Sequence, residues 1–124
     1  MASILVIDDE PTLRKALNRL LSSLGHVVSE AENGHHGLKS YKSAPADIVL
    51  LDIFMPVKDG VETINELLLH DPKAKVIAMT GGGAYDKFDL MAPALLMGAC
   101  KILHKPIDMM TLQSAIEKAL AAAR

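Results

Sequence analysis

The run Ile48-Val49-Leu50-Leu51-Asp52-Ile53-Phe54-Met55-Pro56 decides the fold. Its first four residues are apolar without interruption, and a carboxylate follows them directly. A short continuous apolar run reads as a strand buried on both faces. Asp52 then stands where a sheet ends and solvent begins, and Pro56 shuts the segment. An acid in that place is the first candidate for function.

The same pattern recurs on either side. Ile4-Leu5-Val6-Ile7 is cut off by Asp8-Asp9-Glu10, and Lys75-Val76-Ile77-Ala78-Met79 ends at Thr80. Cys100 to Leu103 forms a short last strand ahead of His104-Lys105-Pro106. Val27-Val28-Ser29-Glu30-Ala31 reads as an edge strand, because Ser29 and Glu30 break its apolar run.

Helical spacing fills the intervals. Pro11 suits a first helical turn, where its missing N–H costs nothing. Leu13, Ala16, Leu17, Leu20, Leu21 and Leu24 then share one helical face up to a stop at Gly25. Asn33-Gly34 reads as a turn before a short helix through Leu38 and Tyr41. Asp59-Gly60 reads as another, before a helix carrying Val61, Ile64, Leu67 and Leu68. A helix is expected over 86–97, interrupted by Pro93 and ended by Gly98. The last helix starts from the cap Asp108 and packs Met109, Leu112, Ile116, Ala119 and Leu120. Five strands alternating with five helices predict an α/β chain, a doubly wound parallel sheet with helices on two faces. Residues 1–124 read as one domain, with no repeat or linker.

Composition narrows the function classes. Half the residues are hydrophobic, which argues against disorder, and with no Trp and only two Phe the core must be aliphatic. Thirteen Lys and Arg against 15 Asp and Glu give no sequence-wide pull toward nucleic acid or an anionic membrane. The single cysteine, Cys100, excludes an internal disulfide and is expected to pack as a small apolar residue. No stretch reaches the roughly 18 apolar residues of a membrane span, and Met1-Ala2-Ser3 lacks a signal peptide's basic start. A cytoplasmic protein is the expectation. His35-His36 lacks a third ligand at metal spacing and reads as exposed, while His104 borders the pocket.

In such sheets ligands bind at the carboxyl ends of strands, beside the point where strand order reverses. This chain puts Asp8-Asp9-Glu10, Asp52, Thr80 and Lys105 there. Crowded carboxylates repel unless a cation or a proton intervenes. Their oxygens suit Mg2+, which keeps coordination sites for phosphate oxygens. A carboxylate beside that ion can act as a nucleophile toward phosphorus. Lys105 and Thr80 supply an ammonium and a hydroxyl for a transferred phosphoryl group, which carries about −1.5 to −2 charge. The set suits phosphoryl transfer to an acid.

From Ser3 onward the chain resembles a response-regulator receiver domain. The resemblance rests on Val6-Ile7-Asp8-Asp9-Glu10, Leu51-Asp52-Ile53-Phe54-Met55-Pro56 with Asp59-Gly60, Met79-Thr80-Gly81 and Lys105-Pro106, in order on successive strand ends. It implies a flavodoxin-like strand order 2-1-3-4-5. It also implies that Asp52 receives a phosphoryl group from a sensor histidine kinase or a histidine phosphotransfer protein. Asp9, Asp52 and the backbone carbonyl of Phe54 would bind Mg2+, with Asp8 acting through metal-bound water. Thr80 and Lys105 would contact phosphoryl oxygens, and the Lys105–Pro106 bond would be cis. Phe54 is further expected to obstruct hydrolytic water and lengthen the phosphorylated lifetime.

The chain departs from the family at Ile102, where an aromatic residue is usual, and in a longer Thr80-to-Lys105 interval. The expectation is a stand-alone phosphoacceptor switch that signals to a downstream protein target, with neither nucleic acid nor membrane as partner. It would catalyse only its own phosphorylation and dephosphorylation, so it is not an enzyme acting on a metabolite. The alternative is a receiver-like interaction domain cut from a longer response regulator or hybrid kinase. A flavodoxin-like mononucleotide binder is disfavoured because Asp8-Asp9-Glu10 repels phosphate without a metal. A phosphatase resembling the haloacid dehalogenases needs an acid two positions after the nucleophile, where this chain has Phe54.

Overall fold

Alternation inside each apolar run sets the layering. In the computed structural model, which describes residues 2–53, 60–80 and 98–122, the order is β1 (Ser3–Ile7), α1 (Pro11–Ser23), β2 (Val27–Ala31), α2 (Gly34–Ser43), β3 (Ile48–Asp52), α3 (Gly60–His70), β4 (Val76–Thr80), β5 (Lys101–His104) and α4 (Met109–Ala121). All the strands pair in parallel, in the order β2-β1-β3-β4-β5. Four helices, rather than five, occur among the described residues. The expected helix over 86–97, Gly81, Asp59 and Phe54 lie outside the described residues.

Successive strand side chains point to opposite faces, so one apolar run serves two cores. Leu5, Ile7, Val49, Leu51, Val76 and Ala78 pack under Leu38 and Tyr41 of α2 and Ile64 and Leu67 of α3. Ile4, Val6, Ile48, Leu50, Ile77 and Met79 pack under Leu17 and Leu21 of α1 and Leu112, Ala115 and Ile116 of α4. Every residue of β3 and β4 is buried, as expected for central parallel strands. Sheet order reverses between β1 and β3, which places the crevice at their carboxyl ends.

Several local expectations are met. Gly25 and Gly98 hold positive φ of 94° and 97°, and Asp108 caps α4 by accepting from the Thr111 N–H at 2.9 Å. The Lys105–Pro106 bond is cis. Others need correction. Asn33-Gly34 is not a free turn. Asn33 caps α2, its side chain accepting from the His36 N–H at 2.8 Å. Leu24 is exposed rather than part of the buried α1 face, because the helix has already ended there. Cys100 is exposed too. Its N–H pairs with Val76 O ahead of the edge strand β5, and its side chain lines an open groove beside Lys101 and Lys118 instead of entering the core.

Lys75 is a polar residue the strand reading left unexplained. It is buried, and its Nζ donates to the carbonyls of Ala119 and Ala122 at the carboxyl end of α4. A cation there satisfies carbonyls that have no partner within the helix and opposes the helix dipole.

Candidate functional site

Parallel register brings the strand ends level. Ile7 pairs with Leu51, Asp52 with Met79 and Thr80 with His104. Each residue that follows an apolar run therefore emerges at the same edge. Asp8, Asp9 and Asp52 come together there, each offering one oxygen within 4.8 Å of the others.

The three acids are not equivalent. Asp8 is fully buried, Asp52 nearly so, and Asp9 is exposed. Asp8 Oδ1 accepts from the Glu10 N–H at 2.9 Å, and its Oδ2 accepts from Lys105 Nζ at 3.0 Å. The same ammonium lies 3.4 Å from Asp52 Oδ2. Burial alone drives a lysine toward neutrality; here Asp52 and Asp8 outweigh it and hold Lys105 above its ordinary value of 10.5. One cation thus bridges two buried carboxylates.

Thr80 is buried at the end of β4. Its carbonyl accepts from the Lys105 N–H at 2.8 Å, and its Oγ1 lies 2.9 Å from His104 Nδ1. Asp8, Asp9, Asp52 and Lys105 therefore stand together, with Thr80 joined to them through the Lys105 N–H, while Phe54 is among the residues not described.

The contacts of three further residues were not foreseen from the sequence. Arg14, one turn into α1, donates from Nη1 to the Asp8 carbonyl at 2.9 Å and from Nε to Glu30 at 2.8 Å. It ties the acidic loop to β2. Gly60 starts α3 against the backbone that follows Asp52. A Cβ on it would lie 2.3 Å from Ile53 Cα and 2.7 Å from Asp52 O, so no side chain fits. The Gly60 N–H donates to Ile53 O at 2.6 Å, which ties the start of α3 to the backbone just after Asp52. His104 was placed at the border of the pocket, but its contact with Thr80 was not foreseen; the signal lay in strand register.

The donor set fits a hard divalent cation. Carboxylate oxygens are the ligands Mg2+ selects, and among the described residues three converging acids meet one ammonium, that of Lys105, an arrangement that suits a further cation. Among the described residues no helix is long and apolar enough to cross a membrane.

Comparison with known proteins agrees. Residues 4–117 match the family model "Response regulator receiver domain". The chemotaxis protein CheY of Halobacterium salinarum is 33% identical over 119 residues, covering 96% of this chain and 97% of that protein. The transcriptional regulatory protein ZraR of Klebsiella oxytoca is 38% identical over 121 residues, 98% of this chain, but the chain spans only 27% of its length. The solved structure of response regulator protein TrrA from Thermotoga maritima, in complex with Mg2+–BeF, superposes with a TM-score of 0.84 at 33% identity, covering 97% of this chain and all of that one. The chain belongs to the response regulator receiver domain family of two-component signalling.

Proposed function

We propose that residues 1–124 form one receiver domain that accepts a phosphoryl group on Asp52 and passes the signal on by binding another protein. The observation that carries this reading is the position of Asp52, 3.4 Å from the Lys105 ammonium and within 4.8 Å of two further acids. The donor is a phosphohistidine on a sensor kinase or a phosphotransfer protein. Its P–N bond breaks as the bond from Asp52 Oδ to phosphorus forms. The donor imidazole keeps the electron pair and takes a proton from solvent.

Asp9 and Asp52 would hold Mg2+, with Asp8 beside them, and the ion would supply the positive charge that lets two anionic groups approach. Both Asp8 oxygens already accept hydrogen bonds, which supports its indirect role. Lys105 gains most as phosphoryl charge develops beside it, since its ammonium is already held in place. Thr80 offers a hydroxyl at the same strand edge. The Mg2+–BeF complex of TrrA supports the same chemistry here. A cytoplasmic site of action follows from this reading. The match to a quarter of ZraR favours a second arrangement, in which the receiver operates inside a longer regulator.

Intact-mass measurement after incubation with acetyl phosphate and Mg2+ tests the proposal. Wild type gains one phosphate; Asp52→Asn and EDTA-treated wild type gain none. Equal uptake by Asp52→Asn overturns it.

A further inference from the structure

Thr80 and His104 are the last residues of β4 and β5 and are register partners. Partners in a sheet project from the same face, so the backbone itself makes them neighbours. The contact is made: Thr80 Oγ1 and His104 Nδ1 are 2.9 Å apart. The Lys105 N–H bond to Thr80 O locks the adjacent backbone. Ile102, two positions earlier on the same face of β5, has no polar atom to offer.

A hydroxyl has one hydrogen and two lone pairs, and a neutral imidazole has one N–H and one bare nitrogen. If Nδ1 accepts, the Thr80 hydrogen is committed to the ring. If Nδ1–H donates, the hydrogen stays available to an acceptor in the pocket. An arriving phosphoryl group brings three strong acceptor oxygens, while the Lys105 ammonium is already shared between Asp8 and Asp52. The phosphorylated pocket therefore favours the donating ring.

We infer that His104 is a positioning residue for the phosphoacceptor: its Nδ1–H donates to Thr80 Oγ1 and turns the Thr80 hydrogen toward the phosphoryl oxygen. The inference rests on the phosphoacceptor reading of Asp52. It gives the cross-strand contact next to the pocket to an imidazole at position 104.

Nitrogen NMR of the imidazole in wild type with Mg2+ and beryllofluoride reads the ring directly. Nδ1 is expected to carry the hydrogen, and that signature is expected to disappear in Thr80→Ala. With acetyl phosphate as donor, His104→Phe keeps the ring shape and loses the bond, and should slow phosphate uptake about 3- to 10-fold, the worth of one hydrogen bond. His104→Asn puts an amide near the Nδ1 position and should restore most of the rate. In a Thr80→Ala background, His104→Phe should change nothing further. A bare Nδ1 in the beryllofluoride complex, equal rates for the Phe and Asn variants, or additive effects would overturn the inference. Failure of wild type itself to take up phosphate would instead bring down the phosphoacceptor reading, and this inference with it.

Discussion

Replacing Lys105 by Met removes the charge that joins Asp8 to Asp52 while keeping an unbranched stem. The ammonium lies 3.0 Å from Asp8 and 3.4 Å from Asp52. At an effective dielectric of about 20, each contact has a Coulomb energy of about 5 kcal/mol. Relieving the desolvation of Lys105 returns several kcal/mol of that, and breaking a buried pair typically costs about 3–5 kcal/mol. With the Lys105 side chain 20% exposed and that of Asp8 wholly buried, a loss near the lower end, about 3 kcal/mol, is expected in metal-free buffer at pH 7. Urea unfolding of both proteins in EDTA, followed by circular dichroism, measures it. Adding Mg2+ should then stabilise Lys105→Met more than wild type, because the ion restores the missing positive charge. A loss under about 1 kcal/mol, the range of exposed ion pairs, together with equal Mg2+ responses, would refute the claim that Lys105 neutralises a buried acidic pocket.

Gly60→Ala forces a Cβ to within 2.3 Å of Ile53 Cα, so backbone must move. Overpacking of this kind costs about 1–3 kcal/mol, and phosphate uptake on Asp52 should slow along with the drop in the urea midpoint. Lys75→Met leaves the Ala119 and Ala122 carbonyls without their cation; it should cost about 1–2 kcal/mol, with faster amide hydrogen exchange at the end of α4. Stability should also bend at both extremes of pH. Glu30 is held below its ordinary 4.5, chiefly by its hydrogen bond from Asn18. Asp71 is held below 3.8, chiefly by the Tyr41 hydroxyl. Their contributions are complete above those ordinary values and are lost as pH falls through the lowered ones. Lys105 is held above 10.5, so its contribution is complete below that value and lost as pH rises through the higher one. Urea midpoints across pH check both limbs, and Glu30→Gln should flatten the acid one.

What the sequence could reveal follows from range. Residues that end an apolar run sit at a strand end whatever surrounds them, so Asp8, Asp9, Asp52 and Thr80 were legible one strand at a time. Lys105 needed only the short run before it. Contacts set by register or by crossing of elements were not legible in that way. His104 meets Thr80 because β4 and β5 align at that step, and a one-residue slip would have turned the ring to the other face. Gly60 looked like a turn residue because glycine marks both turns and close approaches; only the packing of α3 against Ile53 separates them. Lys75 looked like the first residue of a strand, since the helix end it caps lies over forty residues away in the chain. Cys100 was misplaced because burial statistics for cysteine say nothing about which strand is at the edge.

The central claim is that one particular carboxylate holds the phosphoryl group. Borohydride reduces an acyl phosphate, so treating the acetyl-phosphate-reacted protein with it converts the modified aspartate to homoserine, and fragment mass spectrometry locates the change. Homoserine at position 52 alone, dependent on Mg2+, is the predicted result. Homoserine at Asp8 or Asp9, or at no acid in the chain, would contradict it.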